Sequence, residues 1–287
     1  MLLITGASGN AGGAVLDAAL RNGSPVRAMY RSERDAGRGP TGDPAIADFS
    51  DKASLSRALE GIDRVYLVCG PIPQLVEYEI NMIDACKATG VRHIVLNSAM
   101  GAGRFTKSFP SWHARVEDYL RGTGLDYTIL RPNGFMQNIV TYDAASIRAS
   151  GAFYAAMGDT RTSLIDVRDV GEIAAGILGD PRPHLAKTYE LYGPEAVSNA
   201  EIAARISAVL GTPVSFVDIP EDAQRQSMLG IGMPEWQVTA ILELQEYYRT
   251  GSCAAIDSVV AGLLGKPARA LDAYLRENAA AFRRDPA

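Results

Sequence analysis

The run Thr5, Gly6, Ala7, Ser8, Gly9, Asn10, Ala11, Gly12 and Gly13 follows the apolar residues Leu2, Leu3 and Ile4 near the start of a 287-residue chain. It reads as a strand, a glycine turn and a helix whose apolar positions are Val15, Leu16, Ala19 and Leu20. The glycines at 6, 9 and 12 fall as G-x-x-G-x-x-G. Each has a physical task if a dinucleotide binds here. Gly6 allows the tight turn out of the strand, Gly9 lets backbone approach a pyrophosphate with no Cβ in the way, and Gly12 lets the helix lie close on the strand. The N–H groups at the helix start, with Ala7, Ser8, Asn10 and Ala11 around them, then face the phosphates. A chain with 28 Gly makes glycine triplets by chance, so a purely structural turn is the alternative. The strand before and the helix after the triplet favour the dinucleotide.

A second strand over 25–30 indicates which dinucleotide. Sites that prefer NAD place Asp or Glu at the end of this strand to bind the ribose hydroxyls. Here the chain has Tyr30, Arg31 and Ser32, with Arg34 close by. A guanidinium suits a 2′-phosphate, and a serine adds a hydroxyl donor, so NADPH/NADP is expected ahead of NAD. Glu33 and Asp35 keep open the reading of a solvated charged loop.

Composition narrows the class. Hydrophobic residues make up 47% of the chain, enough for a substantial core, and the formal charge of −5 offers no basic footprint for nucleic acid. No apolar stretch reaches the roughly 18 residues of a membrane span. The first strand begins at Leu2, which leaves no room for a signal peptide, and Cys69, Cys86 and Cys253 are scattered. The expectation is a cytoplasmic protein with reduced thiols. Three His and no paired ligand spacing argue against a metal site.

Strand and helix patterns alternate through the first half. Further strands are expected at 45–47, 65–69, 93–97 and 127–130, with helices at 52–59, 74–89 and 111–121. This βα series predicts an α/β fold, a Rossmann-type doubly wound parallel sheet with ligand at the carboxyl ends of its strands. The alternation breaks near Asn133. Beyond it, helices are expected at 138–149, 169–178, 199–210, 221–229, 235–249, 256–263 and 269–282. Strands are expected at 188–192, returning to the sheet, and at 214–217. The division is therefore a nucleotide-binding domain over 1–133 and a mixed, mostly helical C-terminal substrate lobe over 134–287, with some segments rejoining the sheet.

Topology nominates further contacts to the nucleotide. Asp48, at the end of the third strand, is placed to accept from the adenine amino group, and Phe49 to cover the adenine face. Cys69, Gly70 and Pro71 form a stiff turn after the fourth strand near the nicotinamide ribose, with Pro71 and Pro73 fixing φ. Ser98 ends the fifth strand and Pro132 the sixth. Met100, Phe105, Phe135, Met136, Met228, Met233 and Trp236 suit a planar apolar substrate, although core packing accounts for most such residues. The Gly230–Pro234 segment reads as a hinge or an ordinary interhelical turn.

Taken together, these features resemble the NmrA-like, atypical members of the short-chain dehydrogenase/reductase superfamily. The resemblance rests on Thr5 to Gly12, on Arg31, and on the H-x-x-x-E-x-x-L pattern from His113 to Leu120. It rests also on YTILRPNGFMQN at 127–138, LIDVRDV at 164–170, YELYGP at 189–194 and the ending ENAAAF at 277–282. It implies NADP(H) bound by a Rossmann-type domain with a C-terminal lobe. Superfamily members that reduce carbonyls use Tyr-x-x-x-Lys, and at those positions this chain carries Phe109 and His113. A phenyl ring cannot donate a proton. His113 is the candidate catalytic residue, to hold the ribose or to donate a proton, because a free imidazole titrates near 6.5.

The resemblance leaves two functions. One is an NADPH-dependent reductase passing hydride to a quinone-like, aromatic or iminium acceptor that needs little acid help. The other is a non-catalytic nucleotide sensor that binds a protein partner through its C-terminal lobe. The first has a small-molecule substrate, and a homodimer is compatible with either.

Overall fold

The computed structural model describes residues 1–37 and 42–283. In chain order the elements begin β1 (Leu2–Ile4), α1 (Asn10–Arg21), β2 (Val26–Tyr30), α2 (Glu33–Ala36), β3 (Asp43–Ile46) and α3 (Lys52–Ala58). They continue with β4 (Arg64–Leu67), α4 (Leu75–Thr89), β5 (His93–Asn97), α5 (Ser108–Gly122) and β6 (Asp126–Pro132). A wide π turn (Ile139–Asp143), α6 (Ala144–Ser150), β7 (Ala152–Ala155) and β8 (Arg161–Thr162) follow, before α7 (Val167–Gly179) and β9 (Lys187–Leu191). The last part holds β10 (Val197–Ser198), α8 (Asn199–Leu210), β11 (Ser215–Asp218), α9 (Glu221–Gly230), α10 (Glu235–Arg249), α11 (Val259–Leu264), α12 (Leu271–Glu277) and α13 (Ala279–Phe282).

The chain gathers into two compact units. The first comprises Met1–Pro132 and Val167–Leu191, and the second comprises Asn133–Asp166 and the chain from Tyr192 onward.

In the first unit seven strands form one parallel sheet in the order β3-β2-β1-β4-β5-β6-β9. The order turns back on itself between β1 and β4, where the doubly wound topology opens its ligand crevice. On one face Leu3, Val65, Leu67, Met82, Ile83, Ile94, Leu96, Val116, Leu120 and Ile129 form a single apolar cluster, closed by α3, α4 and α5. Burying each such Leu or Ile stabilises the fold by about 1.5–3 kcal/mol. On α7, Gly171 takes its helix to within backbone contact of α1, since a Cβ there would lie 2.5 Å from the carbonyl oxygen of Ala14.

The second unit has a parallel pair, β7 with β11, and an antiparallel pair, β8 with β10. Its main core joins Met136, Ile139, Ile147, Phe153, Ile202, Ile206, Leu271, Leu275 and Phe282. A smaller cluster of Met228, Val238 and Leu242 lies between α9 and α10. The helix α8 opens on a capping box, Ser198 Oγ accepting from Glu201 N at 3.2 Å while a Glu201 carboxylate oxygen accepts from Ser198 N at 2.9 Å.

Three expected elements differ. The helix expected over 138–149 is a π turn followed by α6, because β-branched Ile139, Val140 and Thr141 crowd a regular helical turn. The helix expected over 269–282 starts at Leu271 and breaks at Asn278, whose side-chain amide donates to Tyr274 O at 2.9 Å and competes with the helix ladder. Asp257 Oδ1 accepts from Val259 N at 3.0 Å, so the helix expected over 256–263 begins only at Val259. The short pieces α2, β7, β8 and β10 carry too few residues for a periodic pattern to register.

Candidate functional site

The first unit collects its nominated residues along one edge of the sheet, at the carboxyl ends of β1 to β6. At β1 the turn is built as the glycines require. Gly6 has φ +59°, a conformation side chains rarely adopt, and a Cβ there would press on Val68 at 2.9 Å. A Cβ on Gly12 would lie 2.2 Å from the carbonyl oxygen of Gly6, so α1 enters directly against the turn. Gly9 is the N-cap of α1 and no side chain caps that helix, which leaves its first-turn N–H groups for a ligand. A Cβ on Gly9 would meet protein only at 3.3 Å, and Ser8, Gly9 and Asn10 are exposed. Ala7 and Ala11 are buried beneath them. The cradle therefore fits a pyrophosphate in contact with backbone.

Thr5, which sequence reasoning passed over, stitches the two loops at the crevice together. Its Oγ1 donates to Val68 O at 2.9 Å and accepts from Val68 N at 2.8 Å, inside a fully buried setting. Glu79 was missed as well. It is buried without exposure on α4, and one carboxyl oxygen accepts from Cys69 N at 3.0 Å, fixing the start of the loop after β4. Burial pushes Glu79 up to about 8, against the pull of that N–H, so it carries a proton at neutral pH. Burial first and Glu79 second push the Cys69 thiol up to about 12. Past Cys69 the chain emerges, with Gly70 and Pro71 exposed.

Arg31 is exposed at the end of β2 and makes no hydrogen bond or ion pair among the described residues. Ser32 is committed locally as the N-cap of α2. Its hydroxyl accepts from Asp35 N at 3.2 Å and donates to Asp35 Oδ2 at 2.7 Å. Part of the charged-loop alternative is thus realised, but at Ser32 and not at Arg31. Asp48 accepts from the hydroxyl and the N–H of Ser50, at 2.6 and 2.7 Å. Those bonds, aided by nearby Arg31 and opposed by burial, hold its carboxyl below the ordinary range. Phe49 stacks on Tyr78 with ring centroids 6.2 Å apart.

The ends of β5 and β6 are bound together by a buried charge. Glu117, without exposure on α5, accepts from Ser98 Oγ at 2.6 Å, from Arg131 at 2.8 and 2.6 Å, and from Arg121 at 2.8 Å. Burial alone would raise this carboxyl, but the hydrogen bonds from Arg131 and Ser98, together with the arginine charges, bring it below the ordinary range. Arg104 and Glu190 extend the network to β9. Ser98 was expected to touch the nucleotide. Its only hydroxyl proton is committed to Glu117, so that part of the expectation does not hold. Pro132 is buried and its carbonyl accepts from Met100 N at 3.0 Å. The clue to Glu117 was its place four residues after His113, one helical turn away on the same face.

His113 is 8% exposed, and its Nδ1 is buried with no hydrogen-bond partner. Burial pushes the ring down to about 4, against the pull of Glu117. The imidazole is therefore neutral at pH 7. This corrects the expectation of an imidazolium acid titrating near 6.5, although a neutral ring still holds a hydroxyl. Phe109 packs edge-on to Trp112 at 5.2 Å.

The substrate candidates do not converge. Met100 lies in the first unit and is 3% exposed. Met136 has no exposure and belongs to the core of the second unit, which overturns its nomination, because a side chain enclosed by Ile139 and Ile147 has no face left for a ligand. Met233 packs on the separate cluster between α9 and α10. Phe135 and Trp236 are partly buried. Among the described residues no group of three or more His, Cys, Asp or Glu could hold a metal, and no helix is long and apolar enough to cross a membrane.

Comparison with known proteins agrees with this geometry. Residues 1–272 match the model of the NmrA-like family. The chain is 32% identical over 287 residues to the NAD(P)H azoreductase of Xenophilus azovorans, covering 98% of this chain and 99% of that protein. It is 34% identical over 285 residues to the (4-alkanoyl-5-oxo-2,5-dihydrofuran-3-yl)methyl phosphate reductase of Streptomyces griseus subsp. griseus, covering 98% and 99%. Among solved structures, the NADPH-dependent quinone oxidoreductase QOR2 of Escherichia coli, complexed with NADPH, superposes with a TM-score of 0.87 at 25% identity, covering 96% of this chain and 99% of that one. With its glycine cradle, its strand order and a family match that spans nearly its whole length, this chain belongs to the NmrA-like family.

Proposed function

We propose that this protein is an NADPH-dependent oxidoreductase that reduces a small aromatic, quinone-like or otherwise conjugated acceptor. The observation that carries the reading is the uncapped start of α1 behind a turn that only glycine fills. Two relatives more than 30% identical over nearly the full chain are named as reductases, one of an azo and one of an oxo-dihydrofuran substrate.

Gly6, Gly9 and Gly12 admit the pyrophosphate, and the N–H groups after Gly9 satisfy its oxygens. Arg31, which has no partner of its own among the described residues, pairs with the 2′-phosphate and selects NADPH over NADH. The β4–α4 loop held by Glu79 and the β5–β6 ends held by Glu117 form a stiff platform for the nicotinamide half, with neutral His113 as a ribose hydrogen-bonding group. When bound, the nucleotide supplies hydride. The protein contributes orientation and exclusion of water. With Phe109 in the superfamily's tyrosine position, no phenol of the first unit stands ready to protonate a ketone. Acceptors that delocalise negative charge, or begin as cations, fit this chemistry because solvent can protonate them later.

The test is NADPH oxidation followed at 340 nm against quinones, azo dyes, cationic dyes, cyclic imines and simple ketones. Turnover of a conjugated class with none of the ketones is expected. Tight binding of NADP⁺ without turnover of any acceptor would overturn the proposal.

A further inference from the structure

We infer that Tyr248 is a fixed hydrogen-bond donor to an oxygen atom of the substrate, so that the second unit selects planar acceptors bearing a carbonyl group. This rests on the reductase reading and names the chemistry that its substrate presents.

Tyr248 sits on the last turn of α10 and leans on a glycine. Its hydroxyl oxygen lies 3.1 Å, and its Cζ 3.8 Å, from the point a Cβ on Gly134 would occupy, with Leu164 Cδ2 at 3.0 Å on the other side. Any side chain at 134 would push the phenol away. Gly134 follows the carboxyl end of β6 by two residues, and ligands of open parallel sheets bind outside such strand ends.

The surface beneath the phenol is held in place. The Asn133 amide donates to Cys253 O at 2.8 Å and Ser163 O at 3.1 Å, and its carbonyl accepts from Gly134 N at 2.9 Å. Ile165 N donates to Gly134 O at 2.9 Å, and Met136 N to Ile165 O at 2.9 Å. Behind it, a Cβ on Gly193 would fall 1.8 Å from Leu164 O, so the 163–165 backbone is clamped against bare glycine.

The phenol itself makes no hydrogen bond with any described residue. Tyr248 is only partly buried, and its hydroxyl is not among the sealed polar atoms that lack a partner. A tyrosine tip in a half-apolar setting normally finds an acceptor, and this one stands ready for an acceptor brought by a ligand. Burial raises the phenol above its ordinary range, so it stays protonated throughout the working pH. A phenol so reluctant to ionise is a poor proton source and a dependable donor. It binds a carbonyl oxygen of the acceptor and transfers no proton. A quinone or an unsaturated lactone satisfies it, whereas a triarylmethyl cation without oxygen does not.

The experiment uses the full chain with saturating NADP⁺ and measures dissociation constants for menadione and for an oxygen-free cationic triarylmethane dye by quenching of tryptophan fluorescence. Tyr248→Phe is expected to weaken menadione about tenfold, the loss of one hydrogen bond, with dye and NADPH affinity within about twofold. Gly134→Ala, which crowds the hydroxyl, should give the same selective loss and serves if Tyr248→Phe does not fold. Unchanged menadione affinity in both variants, equal weakening of both probes, or no menadione binding by the unaltered protein would overturn the inference. Failure of the unaltered protein to bind NADPH would instead overturn the reductase reading, while the menadione comparison without nucleotide still reads the phenol.

Discussion

Arg131 grips Glu117 through two parallel hydrogen bonds, Nε to Oε1 at 2.8 Å and Nη2 to Oε2 at 2.6 Å. The carboxylate has no exposure, and the guanidinium side chain has 14%. A buried pair of this kind adds little net stability over apolar residues, but removing one partner strands the other. Arg131→Met should cost about 3–5 kcal/mol in urea unfolding, and the double variant Arg131→Met/Glu117→Leu should recover much of that loss. A double variant no more stable than Arg131→Met would show that the network matters for more than charge compensation.

Gly12 and Gly9 separate folding from binding. Gly12→Ala puts a Cβ 2.2 Å from a backbone oxygen, so the turn and α1 must part. A loss of about 3 kcal/mol or more is expected. Gly9 has φ −94° and ψ 172°, which alanine adopts freely, and its nearest protein atom would be 3.3 Å away. Gly9→Ala should keep stability within about 1 kcal/mol and weaken NADPH at least about tenfold, because its Cβ enters the space reserved for the pyrophosphate. Calorimetric titration beside thermal unfolding reads both effects.

Arg31 makes no hydrogen bond or ion pair to any described residue, so Arg31→Ala should leave the melting temperature unchanged. Loss of a charge-assisted bond to the 2′-phosphate should raise the NADPH dissociation constant by about 10- to 100-fold, and that for NADH by less than about twofold. Equal weakening of the two nucleotides would exclude Arg31 as the selector.

His113 ties stability to acid pH. Its folded pKa of about 4 lies below the free value of 6.5, so its contribution is present above pH 6.5 and is lost as pH falls through 4. Buried His93, also pushed down to about 4, acts in the same window. His113→Gln should flatten part of the fall in stability between those two pH values. In turnover with a quinone, the rate should show no break near 6.5, since the ring stays neutral there. A break at that pH that disappears in His113→Gln would restore His113 as an acid.

Much of the first unit was legible because its signals are local. A three-residue apolar run, glycines three apart and apolar runs between helices give the parallel order without any knowledge of contacts. Arg31 was readable for the same reason, since the end of the second strand lies at a set distance from the turn. Glu79, Thr5 and the Glu117–Arg131 pair were not readable in that way. Each is an ordinary polar residue in its own segment, and its role exists only because another loop arrives beside it. Met136 failed as a substrate contact for the converse reason, because a methionine in an apolar stretch serves a core or a pocket equally well until its neighbours are known.

The sequence by itself therefore determined the doubly wound sheet, the glycine cradle and the choice of NADPH, all of which depend on spacing along the chain. Only the tertiary structure decided which charges are buried and paired, that His113 is neutral, and that a phenol 114 residues beyond Gly134 rests on it. Burial and pairing are set by segments remote in the chain, and no local pattern carries the desolvation that fixes a proton or leaves a hydroxyl without a partner.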